Sequence, residues 1–401
     1  MPRTAPVRDW SSDFDVLDPR YVADPFGIWD DLRATCPIAH TDRRGSTWLP
    51  TRYEDVTAIA HDIEHFRSLK VAVIPMGPAG GEGDRQLEYG LPPISSDPPL
   101  RTWTRRLLLP WFSHQRVESH VPLTRALCRG LLDSVIGAGR ADAAVDYAQQ
   151  IPVRVIARIL GVSSEMSDAF TGSVRDVLEF ADDEARRTHG ADQLLTYFGS
   201  QLDLRRRSPG DDLLSELLRA EVDGVPVDDG IVLGMAALVL IAGVDTTWSA
   251  IASSLWHLAT HPEDQKRLVA EPGLMPTAID ELLRAFAPVT MARVVTGDLE
   301  YGDCPMKEGD KVLMNFPASN RDPDVFDRPD AVLLDRAHNR HVAFGSGIHR
   351  CAGSNLARME LRVALEEWLH ALPTFRLEEG REVLWAGGQV RGPRVLPVAF
   401  P

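Results

Sequence analysis

No feature of this 401-residue chain restricts its fold more than the segment from Ile231 to Thr260, which is apolar nearly all round. A helix without a polar face belongs in the middle of a large core or in lipid. The segment has no uninterrupted apolar run of about 18 residues, so the core placement is expected and nothing is expected to cross a membrane. Its centre reads Ala242-Gly243-Val244-Asp245-Thr246-Thr247. A carboxylate there is costly unless paired. The Thr246 hydroxyl can bond back to the carbonyl of Ala242 and loosen the helix, and Gly243 makes a kink cheaper. Taken alone, the pair reads equally as a satisfied polar contact between helices.

The surrounding pattern is mainly helical. Leu123 to Ile136, Val145 to Leu160, Met166 to Phe180 and Ala191 to Arg207 repeat apolar residues every three or four positions. Tyr53 to His65, Thr277 to Phe286 and Gly353 to His370 read as further helices. Arg293 to Phe316 alternates β-branched and turn residues and predicts hairpins. Thr374 to Leu377 and Val395 to Phe400 predict strands. Residues 1 to 50 are expected to be irregular, with Pro6, Pro19, Pro25, Pro37 and Pro50 breaking helices. Val71 to Pro93 reads as a long loop. Its Gly80-Gly81-Glu82-Gly83 run follows no strand and opens no helix, so a flexible loop beside a pocket is expected rather than a phosphate cradle. With no repeat and no composition break, residues 1–401 are expected to form one domain.

A formal net charge of -15 disfavours nucleic-acid partners. Met1 to Asp15 carries charges and no apolar core, unlike a secretory signal. The four cysteines, Cys36, Cys128, Cys304 and Cys351, form no C-x-x-C pair and suit a reducing compartment. A cytoplasmic location is expected.

Chemistry enters at Phe344-Gly-Ser-Gly-Ile-His-Arg-Cys-Ala-Gly353. Gly345 and Gly347 permit a tight turn and close approach to a flat ligand. Most lone cysteines are structural, but a thiolate in such a loop can ligate haem iron. The run resembles the haem-binding loop of the cytochrome P450 superfamily, Phe-x-x-Gly-x-x-x-Cys-x-Gly. Phe344, Gly347, Cys351 and Gly353 fall on its fixed positions, and Gly345 and His349 match the common bacterial form. Three further segments resemble the same family in the same order: Asp97-Pro-Pro-Leu-Arg-Thr-Trp-Thr-Arg105, the Ala242–Thr246 run, and Glu281-Leu-Leu-Arg284.

The resemblance implies a mainly α fold with small β-sheets, and haem b between the long central helix and the cysteine loop. Cys351 would be the axial iron ligand, and Ala242, Gly243, Phe344, Gly345 and Gly353 would lie against the cofactor. Arg105, Arg293 and His349 would hold the propionates, with Arg101 standing where the family usually has histidine. Asp245 and Thr246 would relay the two protons that dioxygen cleavage requires. Glu281 and Arg284 would form a buried structural pair completed by Arg328 or Arg336. The pocket would draw on the Val71–Pro93 loop, the Ser167–Ser200 helices, Leu238, Ala242, Ala287, Val289, Thr290, Met291 and Trp385 to Val390. Thr290 or Gln389 would be candidates to orient a polar end of a small apolar organic substrate. With no flavin or iron–sulfur segment in the sequence, electrons are expected from a separate ferredoxin and ferredoxin reductase, docking on Arg105, Arg106 and Arg350. Two rivals are a peroxide-driven haem-thiolate enzyme, disfavoured by the intact acid–alcohol pair, and a haem-binding sensor, which needs no proton relay.

Overall fold

The computed structural model describes residues 5–69, 71–73 and 89–401. The Gly80–Gly83 run and most of the Val71–Pro93 loop lie outside the described residues. The first fifty residues are more regular than their prolines suggest. Pro19–Ala23 (α1) and Phe26–Thr35 (α2) are helical, and Ile38–Thr41 (β1) pairs antiparallel with Thr47–Pro50 (β2). Pro19 sits in the first turn of α1 and Pro25 just before α2. The N–H groups there have no helical acceptor to lose, so proline starts these helices instead of breaking them. Asp18 caps α1 by accepting the Arg20 N–H at 2.9 Å. Tyr53–His61 (α3) and Phe66–Arg67 (β3) follow.

The helical stretch comprises Leu100–Leu108 (α4), His114–Glu118 (α5) and Val121–Val135 (α6), then Arg140–Asp142 (β4). The Val145–Leu160 expectation divides into a π-helical turn, Ala143–Ala148, and Gln150–Leu160 (α7). Ser167–Glu179 (α8) leads into Glu184–Arg207 (α9). α9 begins well before Ala191 because Asp183 caps it, accepting the Arg186 N–H at 3.0 Å; its polar first turns hide it from an apolar-spacing test. Leu213–Arg219 (α10) and a small hairpin, Glu221–Val222 (β5) and Val225–Pro226 (β6), complete this half.

Asp229–Thr260 (α11) runs through the core against α7, α8 and α9. By length and composition it is apolar enough to cross a membrane, yet two thirds of its most apolar stretch is buried inside the protein, 67% of that window. Burial of apolar area on every side accounts for its composition. Pro262–Ala270 (α12) and Met275–Ala285 (α13) follow. The hairpin region resolves into Met291–Val295 (β7), Leu299–Tyr301 (β8), Cys304–Met306 (β9) and Lys311–Met314 (β10). A five-stranded sheet has the order β1-β2-β10-β7-β3. Phe316–Ser319 (α14) and Ser354–Ala371 (α15) precede Arg376–Leu377 (β11) and Leu384–Ala386 (β12). The expected Val395–Phe400 strand is divided at Leu396: Gly392–Val395 (β13) pairs with β12, whereas Pro397–Ala399 (β14) pairs with β11 and β4.

Candidate active site

The cysteine loop is held by its own backbone. The Gly345 N–H donates to the Val342 carbonyl at 2.8 Å and the Cys351 N–H to the Phe344 carbonyl at 2.8 Å. Gly345 and Gly347 have φ of 71° and 67°, and a Cβ on Gly347 would fall 2.2 Å from the Ala60 carbonyl oxygen of α3. Both glycines are therefore required by conformation, and Gly347 by space as well. Burial pushes the Cys351 thiol pKa up, opposed by the Gly353 N–H and the charges of Arg105, Arg350 and Arg358.

Beside this loop stands a cluster of basic groups. Arg101 and Arg105 lie one turn apart on α4, Arg293 is buried on β7, and His349 ends the loop's short 3-10 turn. Burial, then the charges of Arg293, Arg101 and Arg105, push His349 down to about 3. Burial lowers Arg293 to about 10, partly offset by Asp97. Arg101 Nε and His349 Nε2 are buried without a hydrogen-bond partner among the described residues. Clustered arginines beside a neutral imidazole, with unpartnered buried nitrogens on Arg101 and His349, suit anions. The two carboxylates of haem supply that charge, so these residues fit the group.

On α11 an accessible window, Ile241, Ala242, Gly243 and Thr246, interrupts the burial. Thr246 Oγ1 donates to the Ala242 carbonyl at 2.8 Å, while α11 stays continuous to Thr260. Gly243 has a packing reason: a Cβ there would lie 2.6 Å from Ile156 of α7. Its missing side chain thus makes room for a neighbouring helix. Asp245 is fully buried, and burial raises its pKa to about 6 against the pull of Arg394.

Glu281 and Arg284 are both fully buried and meet at 2.8 Å. Their third partner is Arg336, whose Nε donates to Glu281 at 2.8 Å. Arg328 instead lies at a turn with φ of 45°, exposed and near Asp327. The pocket candidates separate. Leu238, Ala287 and Thr290 are buried, whereas Val289 and Met291 are half-buried. Gln389 is committed to the protein: its Oε1 accepts the Val73 N–H at 3.2 Å and its Nε2 contacts Met291 Sδ at 3.4 Å. Trp385 packs edge-on against Trp256, with centroids 5.3 Å apart, and under the Arg391 guanidinium.

Residues 179–383 match the family described as Cytochrome P450. The chain is 34% identical over 391 residues to the mycinamicin IV hydroxylase/epoxidase of Micromonospora griseorubida, covering 93% of this chain and 95% of that one. The chain belongs to the cytochrome P450 family. It is also 35% identical over 357 residues to a probable cytochrome P450 127A1 of Sinorhizobium fredii, covering 89% and 84%. A solved cytochrome P450, PksS of the bacillaene polyketide synthase of Bacillus subtilis 168, superposes with a TM-score of 0.87 at 26% identity, covering 96% of this chain and 99% of that one.

As a cytochrome P450, the chain is a haem-thiolate monooxygenase with Cys351 as the axial ligand. Sequence reasoning gave no role to two members of this site, Arg394 and Arg358. Arg394 of β13 donates from Nη2 to Asp245 at 2.8 Å. The available signal was a lone charge in the apolar run Pro393-Arg394-Val395-Leu396, which demands a buried counter-charge. Arg358 ties α15 to Asp280 of α13 at 2.7 Å and covers the Phe344 ring at 4.5 Å.

Proposed function

We propose that this cytochrome P450 acts as a single haem domain in the cytoplasm, hydroxylating a small apolar organic substrate with electrons from a separate ferredoxin and its reductase. When bound, haem supplies the centre at which one oxygen atom of dioxygen enters the substrate and the other leaves as water. Arg101, Arg105 and Arg293 neutralise its propionates, and His349 donates a hydrogen bond to them. Arg105 also donates to the Arg350 carbonyl at 2.6 Å, bracing the loop behind Cys351. The exposed Arg106 and Arg350 offer positive charge on that side of a protein of net charge -15, which favours encounter with an acidic electron donor.

The observation that carries this reading is the adjacency of Asp245, ionising near pH 6, and Thr246, whose hydroxyl lies in the accessible window of α11. The Thr246 hydroxyl donates its hydrogen bond to the Ala242 carbonyl and keeps its oxygen lone pairs free to accept, and Asp245 exchanges protons close to neutral pH. Val289 and Met291 are apolar and half-buried, which supports an apolar substrate. The test has two parts. The reduced, carbon monoxide-treated protein is expected to show the red-shifted Soret band of a thiolate ligand. A compound that shifts the haem spin state is then expected to yield a hydroxylated product with a surrogate ferredoxin system. A thiolate band with nicotinamide oxidation that no compound ever converts into product overturns the reading.

A further inference from the structure

Arg394 is engaged at each of its three guanidinium nitrogens. Nη2 donates to Asp245 Oδ1 at 2.8 Å, Nη1 donates to Ser249 Oγ at 2.9 Å, and Nε donates to Glu179, the last residue of α8. Its carbon centre lies 4.3 Å from the centroid of the Trp248 ring. Glu179 in turn accepts from Arg175 Nε at 2.9 Å. Four charges of alternating sign therefore run from Arg175, 41% exposed, through Glu179 and Arg394 to Asp245, which is 0% exposed. Among the described residues, Asp245 Oδ2 has no hydrogen-bond partner, although it is buried.

We propose that Arg394 is the positioning residue of the proton relay, with one guanidinium divided between Asp245 and Glu179 so that the carboxylate ending α8 competes with the relay acid for the same cation. This rests on the reading of Asp245 as that acid. The charged groups acting on Asp245 are Arg394 of β13 and Glu179 and Arg175 of α8. The two arginines favour its ionised form, and Glu179 opposes it. A shared cation thus predicts opposite consequences for removing Arg394 and removing Glu179. A structural staple predicts the same consequence for both, because either change loosens the same network.

The experiment uses the full haem-loaded protein as wild type, R394Q, R394K, E179Q and D245N. Each is checked for the thiolate carbon monoxide spectrum. Substrate-free oxygen consumption driven by a surrogate ferredoxin and reductase is then followed across pH from about 5 to 8. D245N is expected to abolish the pH limb that belongs to Asp245. R394Q is expected to move that limb up by about one pH unit or more, E179Q to move it down, and R394K to restore it. If R394Q fails to retain haem, the test rests on E179Q, whose limb is expected to move down while that of R394K stays at the wild-type position. The proposal is overturned if E179Q moves the limb upward or leaves it in place while D245N abolishes it. A limb that persists in D245N refutes the relay reading instead, and a missing thiolate band in the wild type refutes haem-thiolate ligation.

Discussion

The Arg336 guanidinium meets the Glu281 carboxylate at 2.8 Å across 55 residues of sequence, and both side chains are nearly or wholly excluded from solvent. Glu281 also accepts from Arg284, from the Leu333 N–H at 2.8 Å and from Asn339 at 3.2 Å. Arg284 directs its remaining donors to the carbonyls of Asn320, Pro329 and Ala331. One carboxylate and one guanidinium thereby fasten α13 to the irregular segment that leads into the cysteine loop. Arg336→Ala removes one charge-assisted hydrogen bond from a buried carboxylate that keeps Arg284, and is expected to cost about 1.5–3 kcal/mol. Arg328→Ala, at an exposed turn, is expected to stay within about 0.5 kcal/mol. Denaturant unfolding of the two variants, followed by loss of the Soret band, separates them. Equal stability would remove Arg336 from the core network.

What the sequence made legible is what local chemistry determines. The α11 segment declared itself because no surface helix is apolar on every face. The cysteine loop declared itself because its glycines and thiol sit at fixed offsets. The choice between Arg328 and Arg336 was not legible, because it depends on how an irregular segment folds back on α13. Arg394 stayed hidden for the same reason: β13 reaches α11 only in three dimensions. The prolines misled in the opposite direction, since breaking and starting a helix differ by one position.

Gly243 invites a change that discriminates packing from cofactor contact. A methyl group there would press on Ile156 at 2.6 Å, and overpacking of this kind costs about 1–3 kcal/mol. Ile156→Ala removes both atoms, Cγ1 and Cδ1, that lie 2.6 Å from that position. The double variant is therefore expected to lose less than the sum of the two single losses, with the carbon monoxide spectrum unchanged throughout. Additive losses in thermal unfolding would count against the helix-contact account.

Arg293 is lowered to about 10 by burial and so remains a cation at neutral pH. Among the described residues, its hydrogen bonding to protein is confined to Nη1, which donates to the Ala292 carbonyl at 2.8 Å. A bond from a charged donor contributes about 1.5–3 kcal/mol. Arg293→Ala is accordingly expected to release haem roughly 10- to 100-fold faster. Transfer of haem to apomyoglobin reads this directly and needs no substrate. An unchanged transfer rate would take Arg293 out of the propionate site.

Thr246 can be tested without disturbing the helix, because valine has the same branched shape and lacks only the hydroxyl. Thr246→Val removes the 2.8 Å bond to the Ala242 carbonyl and the acceptor oxygen in the window. A positioned proton donor contributes at least about 100-fold to the step it serves. Nicotinamide oxidation is expected to continue while product per nicotinamide falls steeply and peroxide rises. Full coupling in this variant would leave Thr246 with a purely structural part.

Asp245 carries a stability consequence whose sign follows from its environment. Its pKa in the fold is about 6, raised by burial from 3.8. An acid whose pKa is raised on folding binds its proton more tightly in the native state, so stability is highest below pH 3.8 as far as this group is concerned. The contribution is lost progressively as pH rises through about 6. The full effect is about 3 kcal/mol, because each tenfold gain in proton affinity on folding is worth about 1.4 kcal/mol. Asp245→Asn keeps the shape without the charge. It is expected to be more stable than the wild type by up to about 3 kcal/mol at pH 8, with the gap narrowing to roughly half at pH 5. Urea unfolding at the two pH values measures both gaps. A variant that is less stable at pH 8 would mean that the Arg394 contact outweighs the burial of the charge, and that the relay acid is held in place at no cost to the fold.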